Sequence, residues 1–517
     1  MSAPRLALTR TYLAPVDAPA EGSAPGGGEL PGVADVRPGA GSTNEETHYD
    51  TVDLALAAAG ASVRRQTGGA PRGWVLELPG RGPRTHEVRT ALGRAVRTAP
   101  AALQRLTWAA ARGRSLGPVL QISTVDVPRE LLDAEGRLLA RVTARTVTAR
   151  PLSPAESVAQ TWVEWQAEVV DGRRDLLDAI TDAWEEMGAE ESDRTEQVRT
   201  VLDDLEDEAA PEGGDKGTPS AGAVVLGQLA EDVAALLAAD PLVRIDAPEV
   251  VVGLRTAVRR LRRVLQVYGS LFGAERREAL VAELDWFVAV VDEVRAVEVL
   301  QERLAEEAAE ERLAEGAGDV AGAGALLEER LGARHGAARA ALLEVMDSER
   351  YRELVAALEA FVAAPDLTKD ARKQLKKGTL LPFAAEAHRA VRDAYREIDP
   401  DGDAGDPSDP LTGATLLKLG ETAESARSAA ETLVRAYGDD VETYVHTVRD
   451  LLDVLADLRD SVAARELLEA TLDAPGPVAF VIGRLHALEE VRSAMARHDL
   501  DEAWDEANRK KLRRWMG

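Results

Sequence analysis

The stretch EVVVGLRTAVRRLRRVLQVYG, residues 249–269, constrains the fold of this chain more than any other. Its apolar residues recur at helical spacing, at Leu254, Val258, Leu261 and Leu265. This period predicts an amphipathic helix that buries one apolar stripe in a helical domain.

The same helix carries five arginines within nine residues: Arg255, Arg259, Arg260, Arg262 and Arg263. Guanidinium groups form bidentate hydrogen bonds with phosphate oxygens, so this array suits a phosphorylated polyanion. The alternative is an exposed helix whose arginines pair with surrounding carboxylates. The chain has 62 Lys and Arg against 90 Asp and Glu, a formal net charge of -28. A polyanion must therefore bind a local basic groove, and the acidic balance argues against a general nucleic-acid binder.

Composition limits the other classes of site. The chain has no cysteine, which excludes disulfides and thiolate metal sites. No apolar run approaches the ~18 residues of a membrane span. The first residues lack the apolar core of a signal peptide. We therefore expect a cytoplasmic protein with no membrane partner and no specific nucleic-acid partner.

The first part of the chain reads as an α+β domain. Strand-like runs are predicted at residues 4–13, within 48–80 around a short helix, and at 85–90, 117–127, 137–148 and 161–170. Residues 14–46 are rich in Pro, Gly and Ala and predict a flexible loop. The pattern predicts an antiparallel sheet closed into a barrel over residues 1–205.

From residue 224 onward strand patterns almost vanish, and Ala-, Leu-, Glu- and Arg-rich helices follow to residue 517. Linkers are predicted at 206–223 and 399–413, where Pro, Gly and Asp accumulate. The second linker divides an all-α domain into halves at 224–398 and 414–517, which suggests an internal repeat of two helical bundles.

Two segments of this helical region resemble the signature helices of CHAD domains, the conserved histidine α-helical domains. Residues 251–262 are similar to VHQMRVATRRLR, with Val252 at the histidine position. Residues 415–438 are similar to LHRLRKAAKRARYAAE, with Leu417 at the histidine position and Lys418 and Arg427 matching. The resemblance implies two bundles facing each other across a basic channel that binds inorganic polyphosphate.

The predicted polyanion site combines this resemblance with the basic residues. Its members are Arg255, Arg259, Arg260, Arg262, Arg263, Lys373, Lys376, Lys377, Lys418 and Arg427. The spacing of Lys369, Lys373 and Lys376 predicts one helix face, for which a solvated helix terminus is the alternative. Glu421 and Glu424 stand at positions that are usually basic in the family. If they neutralise the arginines, ion pairs would hold the two bundles shut.

Residues 5–205 resemble CYTH domains, the triphosphate tunnel metalloenzymes, most clearly in the stretch His48–Pro79. The resemblance implies a barrel that holds divalent metal and triphosphate on inward carboxylates and lysines. However, the family's E-x-E-x-K strand falls on Ala7, Thr9 and Thr11, and Glu77 replaces a lysine. Phosphoryl transfer needs the metal to neutralise developing charge, so we expect no catalysis and no metal.

The polar lining that remains of such a tunnel is predicted to be Arg64, Arg65, Arg84, Glu87, Arg89, Glu164 and Glu168. The function expected from the sequence is that of a non-catalytic CYTH–CHAD protein that binds polyphosphate or a similar polyanion. The alternative is a scaffold or interaction protein whose phosphate sites have decayed. A third possibility is an active triphosphatase, which would need Mg²⁺ or Mn²⁺.

Overall fold

The structure is a computed structural model of the 517-residue chain. The residues it describes are 8–15, 30–68, 72–80, 85–93, 98–152, 158–169, 174–192, 201, 219–311, 319–375, 378–398 and 413–517. The chain divides into two compact units, residues 1–214 with 240–242 and residues 215–239 with 243–517. The predicted domain bounds stay a prediction, because residues 202–218 and 399–412 lie outside the described residues.

The first unit is built on one antiparallel sheet. Its strands are β1 (Leu8–Leu13), β2 (Asp35–Pro38), β3 (Ser42–Asp50), β4 (Ser62–Gln66), β5 (Gly73–Pro79), β6 (Thr85–Thr90), β7 (Gly117–Leu132), β8 (Leu138–Pro151), β9 (Gln160–Val169) and β10 (Glu190–Glu191). The strand order is β10-β1-β9-β8-β7-β3-β4-β5-β6, and β2 pairs with β7. The predicted strands are confirmed, with small differences at their ends.

The predicted barrel is wrong, because the sheet is open over the described residues. At one edge β6 pairs with β5, and at the other edge β10 pairs with β1. Closure needs two long edge strands that can exchange hydrogen bonds. Here β10 has two exposed glutamates, and β6 is polar and half exposed. Short, charged edges of this kind resist pairing with another strand.

The flexible loop predicted over residues 14–46 is wrong in its second half. Asp35–Pro38 forms β2 and pairs with residues 129–132 of β7, and β3 begins at Ser42. Residues 16–29 lie outside the described residues. The long strand β7 offers backbone groups that this segment completes, and such tertiary pairing overrides a composition rich in Pro and Gly.

Short helices pack on both faces of this sheet. They are α1 (Ala55–Ala58), α2 (Ala101–Leu106), α3 (Trp108–Ala111) and α4 (Arg174–Glu186). On α4, Trp184 packs with ring centroids 5.6 Å from Tyr12 and 5.8 Å from Trp165. These three aromatic side chains are buried and centre the core between α4 and strands β1 and β9.

The second unit is all-α over its described residues, apart from two isolated bridges. Its helices are α5 (Ala221–Arg244), α6 (Val250–Val267), α7 (Ala274–Glu311), α8 (Val320–Asp347), α9 (Glu349–Ala363), α10 (Leu381–Ile398), α11 (Gly413–Glu431), α12 (Val434–Tyr437), α13 (Asp439–Glu469) and α14 (Gly476–Ala507). The helix α6 packs against α7 and α11, and α13 packs against α14. The predicted helical region is confirmed.

By length and composition, α5 is long and apolar enough to cross a membrane. Its side chains Val225, Leu229, Leu236 and Val243 are buried within the unit. The core helix of a soluble protein meets the same criteria of length and hydropathy. The predicted absence of a membrane partner stays a prediction.

Candidate functional site

The arginine-bearing helix forms as its sequence predicts. It spans Val250–Val267, and its apolar stripe of Leu254, Val258, Leu261 and Leu265 is fully buried. Burial of that stripe fixes the rotation of α6 and therefore the direction in which its arginines point. Each of the five arginines lies within 4 Å of a carboxylate, as the following distances show.

The first two arginines share a carboxylate of the neighbouring helix α7. The Arg255 Nε donates to Asp292 Oδ1 over 2.5 Å, and the Arg259 Nε lies 3.8 Å from Asp292 Oδ2. Asp292 is itself about one-third exposed. These two contacts join Arg255 and Arg259, one helical turn apart on α6, to the same carboxylate of α7.

The helix α6 is joined to α11 by two acidic residues of α11, Glu421 and Glu424. The Arg259 Nη1 lies 2.8 Å from Glu424 Oε1, and the Arg263 Nη2 lies 3.5 Å from Glu424 Oε2 and 3.6 Å from Glu421 Oε1. Burial is the main cause that lowers the pKa values of Arg259 and Arg263, while Glu424 acts in the opposite direction. Both guanidinium groups therefore depend on Glu424 for their charge balance.

The remaining two arginines of α6 have separate partners. The Arg260 Nε lies 3.0 Å from Asp232 Oδ1 of α5, and its Nη1 lies 3.6 Å from Glu431. The Arg262 Nη1 donates to Asp285 Oδ1 of α7 over 2.8 Å. Burial raises the pKa of Asp232 to about 7, against the lowering effect of Arg260.

The other predicted polyanion residues do not join this row. Lys373 pairs with Asp370 over 2.5 Å, and Lys418 pairs with Glu397 over 2.6 Å, both at exposed positions. Arg427 lies 3.2 Å from Glu431 in its own helix. The predicted helix face at 369–376 is wrong, since residues 369–375 form turns and one isolated bridge. Lys376 and Lys377 lie outside the described residues.

In the sheet domain, Arg64 of β4 lies at the centre of a carboxylate cluster. Its Nη2 donates to Glu77 Oε1 over 2.6 Å, and Glu46 and Glu87 lie 3.5 and 3.8 Å away. Burial lowers the pKa of Arg64, but the hydrogen bond and charge of Glu77 outweigh it, so the net shift is upward. Glu77, which stands where the CYTH pattern has a lysine, is therefore charge-paired with Arg64. Glu46, which shares a sheet face with Arg64, is not among the residues predicted from the sequence.

Other predicted lining residues pair along the strands. Glu164 is fully buried and accepts a hydrogen bond from Trp162 Nε1 over 2.9 Å, with Arg145 4.0 Å away. Glu168 lies 3.8 Å from Arg141. Arg89 donates to Glu87 over 3.1 Å. The Arg65 Nε is buried without a hydrogen-bond partner, and Arg84 lies outside the described residues.

The donor set of the sheet domain does not fit a divalent metal. Thr9 and Thr11 occupy β1 opposite Glu168 and Gln166, where a hydroxyl is a poor substitute for a metal-binding carboxylate. The carboxylates of Glu46, Glu77 and Glu87 already surround a guanidinium. Over the described part of the chain, no group of three or more His, Asp or Glu is placed to hold a metal ion.

A further polar cluster, not predicted from the sequence, joins α7 to α13 and α14. Arg303 contacts both Glu489 and Asp457, and Arg492 contacts Glu307. Glu307 and Glu489 are fully buried. Burial and the neighbouring Glu489 raise the pKa of Glu307. No sequence pattern reveals this cluster, because its members come from helices up to 186 residues apart.

Comparison with known proteins agrees with this architecture. Residues 227–469 match the family model of the CHAD domain. An uncharacterized protein of Mycobacterium tuberculosis strain H37Rv is 27% identical over 484 residues, which cover 89% of this chain and 88% of the relative. The crystal structure of the CHAD domain from the plant Ricinus communis is similar, with 18% identity and a TM-score of 0.43, over 58% of this chain and 96% of that chain.

A second solved structure is similar over a smaller share of the chain. The PH1819 protein from Pyrococcus horikoshii OT3 is similar over 38% of this chain and 99% of that chain, with 10% identity and a TM-score of 0.23. The predicted resemblance to CHAD domains is therefore confirmed over residues 227–469.

Proposed function

We propose that this protein, a CYTH-like β domain followed by a CHAD domain, is a non-catalytic interaction protein. We infer that the arginines of α6 stabilise the helical domain, and that in the free protein they do not bind polyphosphate. The observation that carries the proposal is the ion pair between Arg259 Nη1 and Glu424 Oε1, at 2.8 Å. It joins the two signature helices α6 and α11 directly, in the region where the family resemblance implies a polyanion.

The charge balance around α6 supports this proposal. Its five arginines lie within 4 Å of six carboxylates: Asp232, Asp285, Asp292, Glu421, Glu424 and Glu431. A polyphosphate would have to displace these carboxylates and leave them beside its own negative charges. Electrostatic affinity for a polyanion depends on the number of cationic groups that are available to neutralise its phosphates. Because the five arginines of α6 are already paired with carboxylates, they supply few cationic groups to a phosphate chain.

Polyphosphate binding, the function first expected from the sequence, stays the second candidate. It is favoured by the spacing of Arg255, Arg259 and Arg263, which line one face of α6 at intervals of four residues. Two carboxylates, Asp292 and Glu424, bridge neighbouring members of this face. Neutralising the carboxylates of α11 should therefore make these arginines available to bind phosphate groups.

The experiment is retention of long-chain polyphosphate on immobilised protein at graded salt. We expect wild type to bind weakly, and the isosteric Glu421→Gln/Glu424→Gln variant to gain binding that falls steeply as salt rises. The matched control, Glu349→Gln/Glu442→Gln, makes the same charge change at two exposed carboxylates that each pair with a residue of their own helix. It should behave as wild type.

A different result would favour the second candidate. Wild type would then retain polyphosphate, and that retention would fall steeply as the salt concentration rises. If Arg255→Ala/Arg259→Ala/Arg262→Ala also abolishes the retention, the arginines bind a ligand. The non-catalytic part of the proposal has its own test. Hydrolysis of inorganic triphosphate by wild type, dependent on Mg²⁺ or Mn²⁺ and lost on mutation of the sheet domain, would contradict it.

A further inference from the structure

The helix α14 has apolar side chains on two opposite sides. One side is buried in the domain and includes Val478, Ile482, Leu485, Ala496 and Leu500. On the opposite side Phe480, Val491 and Met495 are 56%, 58% and 62% exposed. Large exposed apolar side chains that share one face mark an interaction surface.

The exposed side has the spacing of a helix–helix seam. Phe480, Arg484, Ala487, Val491 and Ala494 follow one another at intervals of four, three, four and three residues. This alternation keeps one narrow stripe in line along a helix that packs against a single partner helix. The small residues in the stripe permit a close approach of the two backbones.

The stripe is complementary to itself when two copies of α14 run antiparallel with Ala487 facing Ala487. In that register Phe480 lies opposite Ala494 of the second copy, and Gly483 lies opposite Val491. Each large side chain thus meets a small one, which is the condition for interdigitated packing. The same register places Arg484 opposite Glu490, so unlike charges meet twice by the two-fold symmetry.

We propose that two copies of this chain associate through antiparallel contact of their α14 helices. Residues 480–494 span ~21 Å at ~1.5 Å per residue. A contact of this length lies at the small end of specific interfaces, so the dimer forms reversibly at micromolar concentrations. This self-association does not depend on whether the α6 arginines bind a polyanion.

Charge reversal tests the register. The full-length chain is followed by analytical ultracentrifugation over a range of micromolar concentrations. Arg484→Glu and Glu490→Arg, each alone, place like charges opposite each other and should raise the dissociation constant at least tenfold. The double variant Arg484→Glu/Glu490→Arg restores opposite charges and should recover the dimer. Residues six apart lie on different sides of one helix, so contacts within a single chain cannot produce this recovery.

Two further variants complete the test. Ala487→Glu places two carboxylates on the symmetry axis and should give a monomer. Val462→Glu introduces the same charge at an exposed position of α13, 37% exposed, and should leave the dimer intact. Helix content by circular dichroism confirms that each variant folds. A wild-type chain that stays monomeric at every concentration, or a double variant that fails to recover, would overturn the proposal.

Discussion

The guanidinium of Arg303 on α7 donates two hydrogen bonds to the carboxylate of Glu489 on α14, at 2.5 Å from Nε and 2.8 Å from Nη2. The Glu489 side chain is fully buried, and that of Arg303 is 12% exposed. A buried carboxylate that loses its partner keeps its desolvation cost without the compensating charge. This pair therefore fixes the packing of α7 on α14.

Replacing Arg303 by Met should lower the free energy of unfolding by about 3 kcal/mol, because it leaves Glu489 buried without its bidentate donor. The measurement is urea unfolding followed by circular dichroism. Arg435→Met is the matched control, since Arg435 contacts Glu231 but is 82% exposed. An exposed pair contributes below about 1 kcal/mol. Equal losses for the two variants would contradict the role assigned to Arg303.

The pH dependence of stability should contain a contribution from Asp232, whose pKa burial raises to about 7. Between its ordinary pKa near 3.8 and 7, the folded state holds a proton that the unfolded state releases. Stability from this group is therefore lost as pH rises from 4 to 7. Asp232→Asn should be more stable than wild type at pH ~8, by at least about 2 kcal/mol, and nearly equal at pH ~4.

Urea unfolding of both proteins at the two pH values measures this difference. The groups that face Asp232 are Arg260, Gln228, Glu231 and Glu431. If the stability of Asp232→Asn keeps the same pH slope as wild type, the proton is held by another member of this group.

Restoring a lysine at position 77 should destabilise the sheet domain. In wild type the Glu77 carboxylate accepts a hydrogen bond from Arg64 over 2.6 Å, and that hydrogen bond helps to lower the pKa of Glu77 against the effect of burial. Glu77→Lys places a second cation beside a largely buried guanidinium and should cost about 3 kcal/mol. Glu77→Gln, which keeps an acceptor, should cost less. Thermal unfolding of the two variants compares them directly, and an equal or higher midpoint for Glu77→Lys would contradict the pairing.

Tyr268, at the end of α6, connects this helix to α11. Its hydroxyl donates to the Ala429 carbonyl oxygen over 2.7 Å, and the residue is fully buried. Tyr268→Phe removes one buried hydrogen bond without a change of shape, so the free energy of unfolding should fall by about 1 kcal/mol. A loss near zero in urea unfolding would mean that this bond does not help to join the two helices.

Much of the fold follows from local sequence. Alternation located strands β6, β7, β8 and β9, and helical periodicity located α6, because both patterns repeat within a few residues. Closure of the sheet could not be read in this way. It depends on whether two edges far apart in sequence, β6 and β10, are able to pair. The strand β2 was missed for a similar reason, since its pairing partner is supplied by β7.

For the candidate site too, one part follows from local sequence and another part from tertiary structure. The sequence by itself determined that α6 is a helix with one buried stripe and a row of arginines, because side-chain periodicity is a property of a single segment. Only the tertiary structure decided what those arginines contact. Arg259 meets Glu424 from 165 residues further along the chain, at 2.8 Å. Whether a guanidinium is available to a ligand or already neutralised is set by charges brought near it by folding, and local sequence does not encode that distance.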